Sequence, residues 1–132
     1  WVSVSAHPAF IGPETADLLS GADVVCDCVD GDNKRVLNAL CRDRGVPYCT
    51  GGLSGERFQV AMFSEPERSV GMYKVSGMAS AQANPAALLA CSGFQAQAII
   101  NFLLGSDRGT LNRVMRCNAI TCSISVEEVP HA

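Results

Sequence analysis

Two carboxylates, Asp27 and Asp30, are the side chains of this 132-residue chain best placed for chemistry. They stand at the end of a short apolar run, Val24 to Val29, which Asp27 alone interrupts. Such a run is expected of a strand buried on both faces of a parallel sheet. Open α/β sheets bind ligands in the crevice at the C-terminal ends of their strands. Carboxylate oxygens are also what a hard cation prefers. Asp30 lies at the edge of the strand; Asp27 points either to the crevice or into the sheet, where it would be paired. The plainer reading of Asp30 is a turn former, since Asp30-Gly31-Asp32-Asn33 is a run of turn residues.

Cysteine is the other reactive type, at positions 26, 28, 41, 49, 91, 117 and 122. Cys26, Cys28, Cys41 and Cys49 fall inside apolar elements, where a free cysteine acts as a small buried hydrophobe. The set contains no C-x-x-C pair, so no zinc site is expected. His7, alone beside Pro8, reads as a loop residue.

The elements that must hold the carboxylates follow directly. Lys34 to Arg44 has apolar residues at 36, 37, 40 and 41, one face of a helix. Gly45 stands where a helix-ending glycine should, and Pro47 keeps the helix from resuming. Val46 to Thr50 is the next strand, ending at Gly51-Gly52. A strand, helix and strand of this length predict a right-handed parallel crossover.

Elsewhere, Trp1 to Ala6 alternates as a strand, Glu14 to Ser20 reads as a short helix, and Phe58 to Phe63 as a strand. Ser64 to Arg68 reads as a turn. Asn84 and Pro85 open the longest helix, running to about Leu104 before Gly105. Its apolar residues spread nearly all round, as in a helix that is buried or lies at an interface. Leu111 to Arg116 and Ala119 to Val126 alternate as strands, with Ile120, Cys122, Ile124 and Val126 on one face. The chain is 48% hydrophobic and 17% charged with net charge −3, which predicts a folded domain and gives no electrostatic reason for nucleic acid. No apolar run reaches about 18 residues, so no membrane span is expected.

Over nearly all its length the chain resembles the ThiF/MoeB/HesA family, the adenylyltransferases of sulfur-carrier proteins and relatives of the ubiquitin-activating enzymes. Asp27 and Asp30 match its Asp-x-x-Asp strand end, Asn38 and Cys41 its following helix, Gly45 and Pro47 its Gly-x-Pro strand entry, and Gly51 and Gly52 its glycine loop. Gln59 and Phe63 match a Gln-Val-x-x-Phe strand; Gln95-Ala96 and Leu103-Leu104-Gly105 match a late helix and its end. Arg35 lies five residues after Asp30, like the family's arginine, but Asn38 lies eight after it where the family has nine. Either Lys34 or Arg35 therefore takes the basic position.

The resemblance implies a Rossmann-like α/β domain: a mostly parallel sheet with flanking helices and antiparallel strands near the C-terminus. It covers the C-terminal half of a ThiF-type domain; the family's nucleotide-loop half would lie outside residues 1–132. It implies an ATP-dependent adenylyltransferase that activates the C-terminal carboxylate of a small carrier protein or peptide as an acyl-adenylate. ATP and Mg²⁺ are the implied cofactors, with Asp30 as catalytic residue and magnesium ligand, and Asp27, Asp30, Lys34, Arg35 and Asn38 around the nucleotide. Ser69 to Lys74 and Gly77 to Asn84 lack cysteine, so neither the family's zinc nor its acceptor thiol is expected. The implied partner is a ubiquitin-like or sulfur-carrier protein or peptide, in the cytoplasm. Pairing as a homodimer, or with a missing half, is expected through Leu88, Leu89, Phe94 and Phe102. The alternative is a non-catalytic ThiF-like scaffold that docks a partner. A dinucleotide dehydrogenase is a distant third, since its glycine fingerprint is lacking.

Overall fold

The structure, a computed structural model, describes residues 1–75, 82–106 and 109–129. The expected crossover is its organising unit. Strand β1 (Val25–Asp27) leads into helix α1 (Asp32–Arg44) and returns as β2 (Tyr48–Ser54), which pairs with β1 in parallel. Gly31 and Gly45 bracket α1, both at positive φ, +65° and +64°, which a side chain would disfavour. The Gly45 N–H returns to the Arg42 and Cys41 carbonyls, closing the helix before Pro47.

Strand β3 (Arg57–Phe63) follows β2 through the two-residue turn Gly55-Glu56, with Gly55 at φ +58°. So short a link allows only an antiparallel hairpin. Strands β4 (Arg113–Asn118) and β5 (Ser123–Glu128) extend the sheet in the order β1-β2-β3-β4-β5. Three of the four pairings are antiparallel. The α/β class, the flanking helices and the antiparallel C-terminal strands are thus as expected, but the sheet is mostly antiparallel, not mostly parallel. Hairpin turns, not crossover helices, make the joints at β2–β3 and β4–β5.

Period-two alternation along the central strands gives each face its own core. Tyr48, Ala61, Phe63 and Val114 pack with Leu37, Cys41 and Leu19 on one side, where Met72 also lies. Cys49, Phe58, Val60, Met62 and Cys117 pack beneath Ala87 and Cys91 of helix α3 (Pro85–Leu103) on the other. The Asn84 side chain accepts the Ala86 and Ala87 N–H groups at the start of α3. By length and composition, with mean hydropathy 1.4, α3 is apolar enough to cross a membrane. No membrane span was expected from the sequence, yet this helix passes on length and composition. Here one face of it, Ala87, Cys91 and Gln95, is buried.

Several local expectations change. Residues 1–10 form no strand and are exposed. Residues 13–19 form a 3-10 helix. The turn expected at Ser64 to Arg68 becomes a bend, a 3-10 helix (Pro66–Ser69) and helix α2 (Val70–Val75). The apolar face expected on the last strand is solvent-exposed, because β5 is the sheet edge and no layer covers it. The small-residue loop expected at 77–84 falls, as far as residue 81, outside the described residues.

Candidate functional site

Asp27 is the last residue of β1 and only 1% exposed. A buried carboxylate is tolerable only when its charge and lone pairs are met, and here they are. Oδ2 accepts from Lys34 Nζ at 2.7 Å, Thr50 Oγ1 at 2.9 Å and the Tyr48 hydroxyl. Oδ1 accepts the Val29 N–H at 3.0 Å, turning the chain just beyond the strand. Parallel register sets Thr50 opposite Asp27, and alternation along β2 puts Tyr48 on the same face as Thr50. Lys34, in the first turn of α1, also donates to Thr50 Oγ1 at 3.1 Å and to the Gly51 carbonyl at 2.9 Å.

Helix α3 reaches the same residue from the opposite face of the sheet. Gln95 Nε2 donates to the Asp27 carbonyl at 2.8 Å and lies 3.4 Å from Cys26 Sγ. The approach is close because Gly51 has no side chain: a Cβ there would meet Gln95 Oε1 at 2.7 Å and Cys91 Sγ at 3.0 Å.

Asp30 follows three residues after β1, just before α1, and is exposed. Its carboxylate makes no hydrogen bond or ion pair to any described residue. Arg35, five residues further on in α1, is exposed as well. Asn38 is buried and donates to Ser69 Oγ at 2.6 Å, tying α1 to the Pro66–Ser69 helix. Of the five residues singled out in sequence, the fold joins Asp27 to Lys34, leaves Asp30 and Arg35 in solvent, and turns Asn38 into a packing contact. Tyr48, Thr50 and Gln95 were missed as members of this cluster. The period-two spacing of Tyr48 and Thr50 opposite a strand carboxylate was the available signal.

Among the described residues no three His, Cys, Asp or Glu side chains converge as metal ligands. Magnesium held by one carboxylate and by substrate phosphates needs no such cage. The uncommitted Asp30 carboxylate fits that role; Asp27, its oxygens already engaged, does not.

Burial removes the reactivity of most thiols. Desolvation pushes Cys41 up to about 11 from 9.0 and raises Cys49, Cys91 and Cys117. Cys26 is also pushed up to about 11, chiefly by desolvation and then by its contact with Cys28. Yet Cys26 and Cys28 are not the buried hydrophobes expected from sequence. Both are exposed, because β1 is the other edge of the sheet.

The profile of the ThiF family matches residues 1–132, the whole chain. The chain belongs to the ThiF family. No curated protein matches it. Among solved structures, this ThiF-family chain is similar in fold to PaaA, with TM-score 0.62 and 11% identity over 92% of this chain and 48% of PaaA. It is similar to E. coli MccB solved with succinimide, with TM-score 0.66 and 10% identity over 90% of this chain and 40% of MccB. E. coli MccB solved with ATP gives TM-score 0.62 and 12% identity over 91% of this chain and 41% of MccB. The ThiF-family chain thus spans less than half the length of each of these proteins.

Proposed function

We propose that this chain is the part of an ATP-dependent adenylyltransferase that presents Asp30 to magnesium-bound ATP. The observation that carries the reading is the uncommitted, exposed Asp30 carboxylate in the turn just past β1, a strand whose end is braced by the Asp27–Lys34 pair. E. coli MccB, similar in fold, is solved with ATP and, separately, with AMPCPP and MccA. The reaction is formation of an acyl-adenylate on the C-terminal carboxylate of a small carrier protein or peptide, with pyrophosphate released.

When bound, magnesium neutralises charge on the phosphates. Asp30 is the chain's ligand to it, and the exposed Arg35 guanidinium supplies a positive charge for phosphate oxygens. Asp27 and Lys34 act by position: their buried pair fixes the end of β1 and hence the turn bearing Asp30. The outer face of α3 serves association with a second copy of the chain. Leu88 and Leu89 are exposed there, and no charged residue occurs between Lys74 and Asp107, while the Phe94 ring tilts against Phe58 of β3. Phe102, also expected at that contact, packs instead against the core under α3.

The test is pyrophosphate exchange by the full-length protein with ATP, magnesium and a set of small carrier proteins and peptides. Exchange that falls about a hundredfold in Asp30→Ala supports the reading. A non-catalytic scaffold is the second reading, favoured by the complete engagement of Lys34 with Asp27, Thr50 and Gly51. Absence of exchange with every acceptor, alongside retained partner binding, would put the scaffold in its place.

A further inference from the structure

Cys26 and Cys28 stand apart from the other cysteines of the chain. Cys41, Cys49, Cys91 and Cys117 are buried, and Cys122 is exposed by itself at the β4–β5 turn. Cys26 and Cys28 are both exposed, and their sulfurs lie 3.7 Å apart. Residues two apart in an extended strand have Cα atoms roughly 6.6 Å apart, at the upper end of the span a disulfide bridges. The chain is not held fully extended there. Strand β1 and its ladder to β2 end at Asp27, and the Val29 N–H folds back onto Asp27 Oδ1 around Cys28. Cys28 can therefore move toward Cys26, while Asp27 between them stays fixed by its four side-chain contacts.

We propose that Cys26 and Cys28 form a reversible redox pair that closes to a disulfide under peroxide. The Cys28 thiol, as thiolate, attacks hydrogen peroxide, breaking the O–O bond to give a sulfenic acid and water. The other sulfur then displaces the hydroxyl from that sulfenic acid, forming the S–S bond and a second water. The two sulfurs lose two electrons, and the peroxide takes them. A dithiol reductant restores both thiols, in keeping with the labile character of a bridge made near the limit of its span and exposed to solvent. A tetrahedral metal is not the natural occupant, since no third ligand joins the pair among the described residues. Cys28 lies two residues before Asp30, but neither thiol takes part in the nucleotide chemistry proposed for that carboxylate.

Trypsin separates the pair from every other cysteine, because the peptide ending at Lys34 contains Cys26 and Cys28 alone. Reduced protein is treated with one equivalent of hydrogen peroxide, alkylated and digested. The expected product is that peptide unalkylated and lighter by two hydrogens than the dithiol form, returning to the doubly alkylated form after dithiothreitol. Cys28→Ser removes the loss of two hydrogens, with an unchanged circular dichroism spectrum showing that the fold is kept; Cys26→Ser does the same from the other side. The proposal is overturned if the peptide remains doubly alkylated while Cys122 has reacted, or if it carries sulfinic acid without a disulfide.

Discussion

Lys34 Nζ sits 2.7 Å from Asp27 Oδ2, bridging the first turn of α1 to the end of β1 with the carboxylate wholly out of solvent. Breaking a buried pair from one side leaves the other charge unmet. Asp27→Ala should cost about 3–5 kcal/mol of stability in urea unfolding. The same change in a Lys34→Met background should cost clearly less, which a double-mutant cycle will measure.

Asp30 should behave oppositely. Its side chain touches nothing described, so Asp30→Ala should leave stability within about 0.5 kcal/mol of the parent in the same unfolding experiment. In the full-length protein it should still remove most of the pyrophosphate exchange proposed for it. A variant that unfolds instead would place Asp30 in the framework rather than at the ligand.

Gly51→Ala tests the close approach of α3 to the sheet. The new Cβ would press on Gln95 Oε1, whose amide nitrogen is held by the Asp27 carbonyl. A destabilisation of about 1–3 kcal/mol is expected. In a Gln95→Ala background the penalty should shrink, since the remaining obstacle is then Cys91.

How much of this was legible from residues alone differs by element. The crossover was, because α1 carries a clean apolar stripe and is ended by Gly45 and Pro47. The sense of the sheet was not. Gly51 and Gly52 looked like the close of a strand, yet β2 runs through both to Ser54, since glycine there makes room for α3. Reading on to Gly55-Glu56 as the turn would have revealed the antiparallel hairpin. Asp30 was legible by position, whereas the satisfaction of Asp27 depended on Tyr48, Thr50 and Gln95, brought in from β2 and α3. The exposure of Cys26 and Cys28 depended on which strand is an edge, and local composition carries no such information.

Buried thiols set an alkaline limit on stability. Cys41 keeps its proton up to about 11 in the folded chain against 9.0 when free. Unfolding is then favoured wherever the unfolded thiol ionises and the folded one does not. Thermal stability should be flat with respect to these groups below about pH 8.5, fall as pH rises past 9, and have lost the full Cys41 contribution above about pH 11. Cys41 alone accounts for on the order of 3 kcal/mol of that fall. Cys41→Ala, though less stable at neutral pH, should show a shallower decline in melting temperature over this range.

Association through α3 should appear in sedimentation as a concentration-dependent dimer. Leu89→Lys, at a site 76% exposed in the single chain, should shift the species to monomer without loss of helix content. A monomer for both proteins at high micromolar concentration would end that proposal.

The grip on Asp27 from both sides has a mechanical consequence. Its side chain belongs to α1 through Lys34, and its carbonyl to α3 through Gln95, so one residue acts as a rivet through the thickness of the sheet. Edge strands ordinarily fray first. Here β1 cannot lift away until helices on opposite faces both let go.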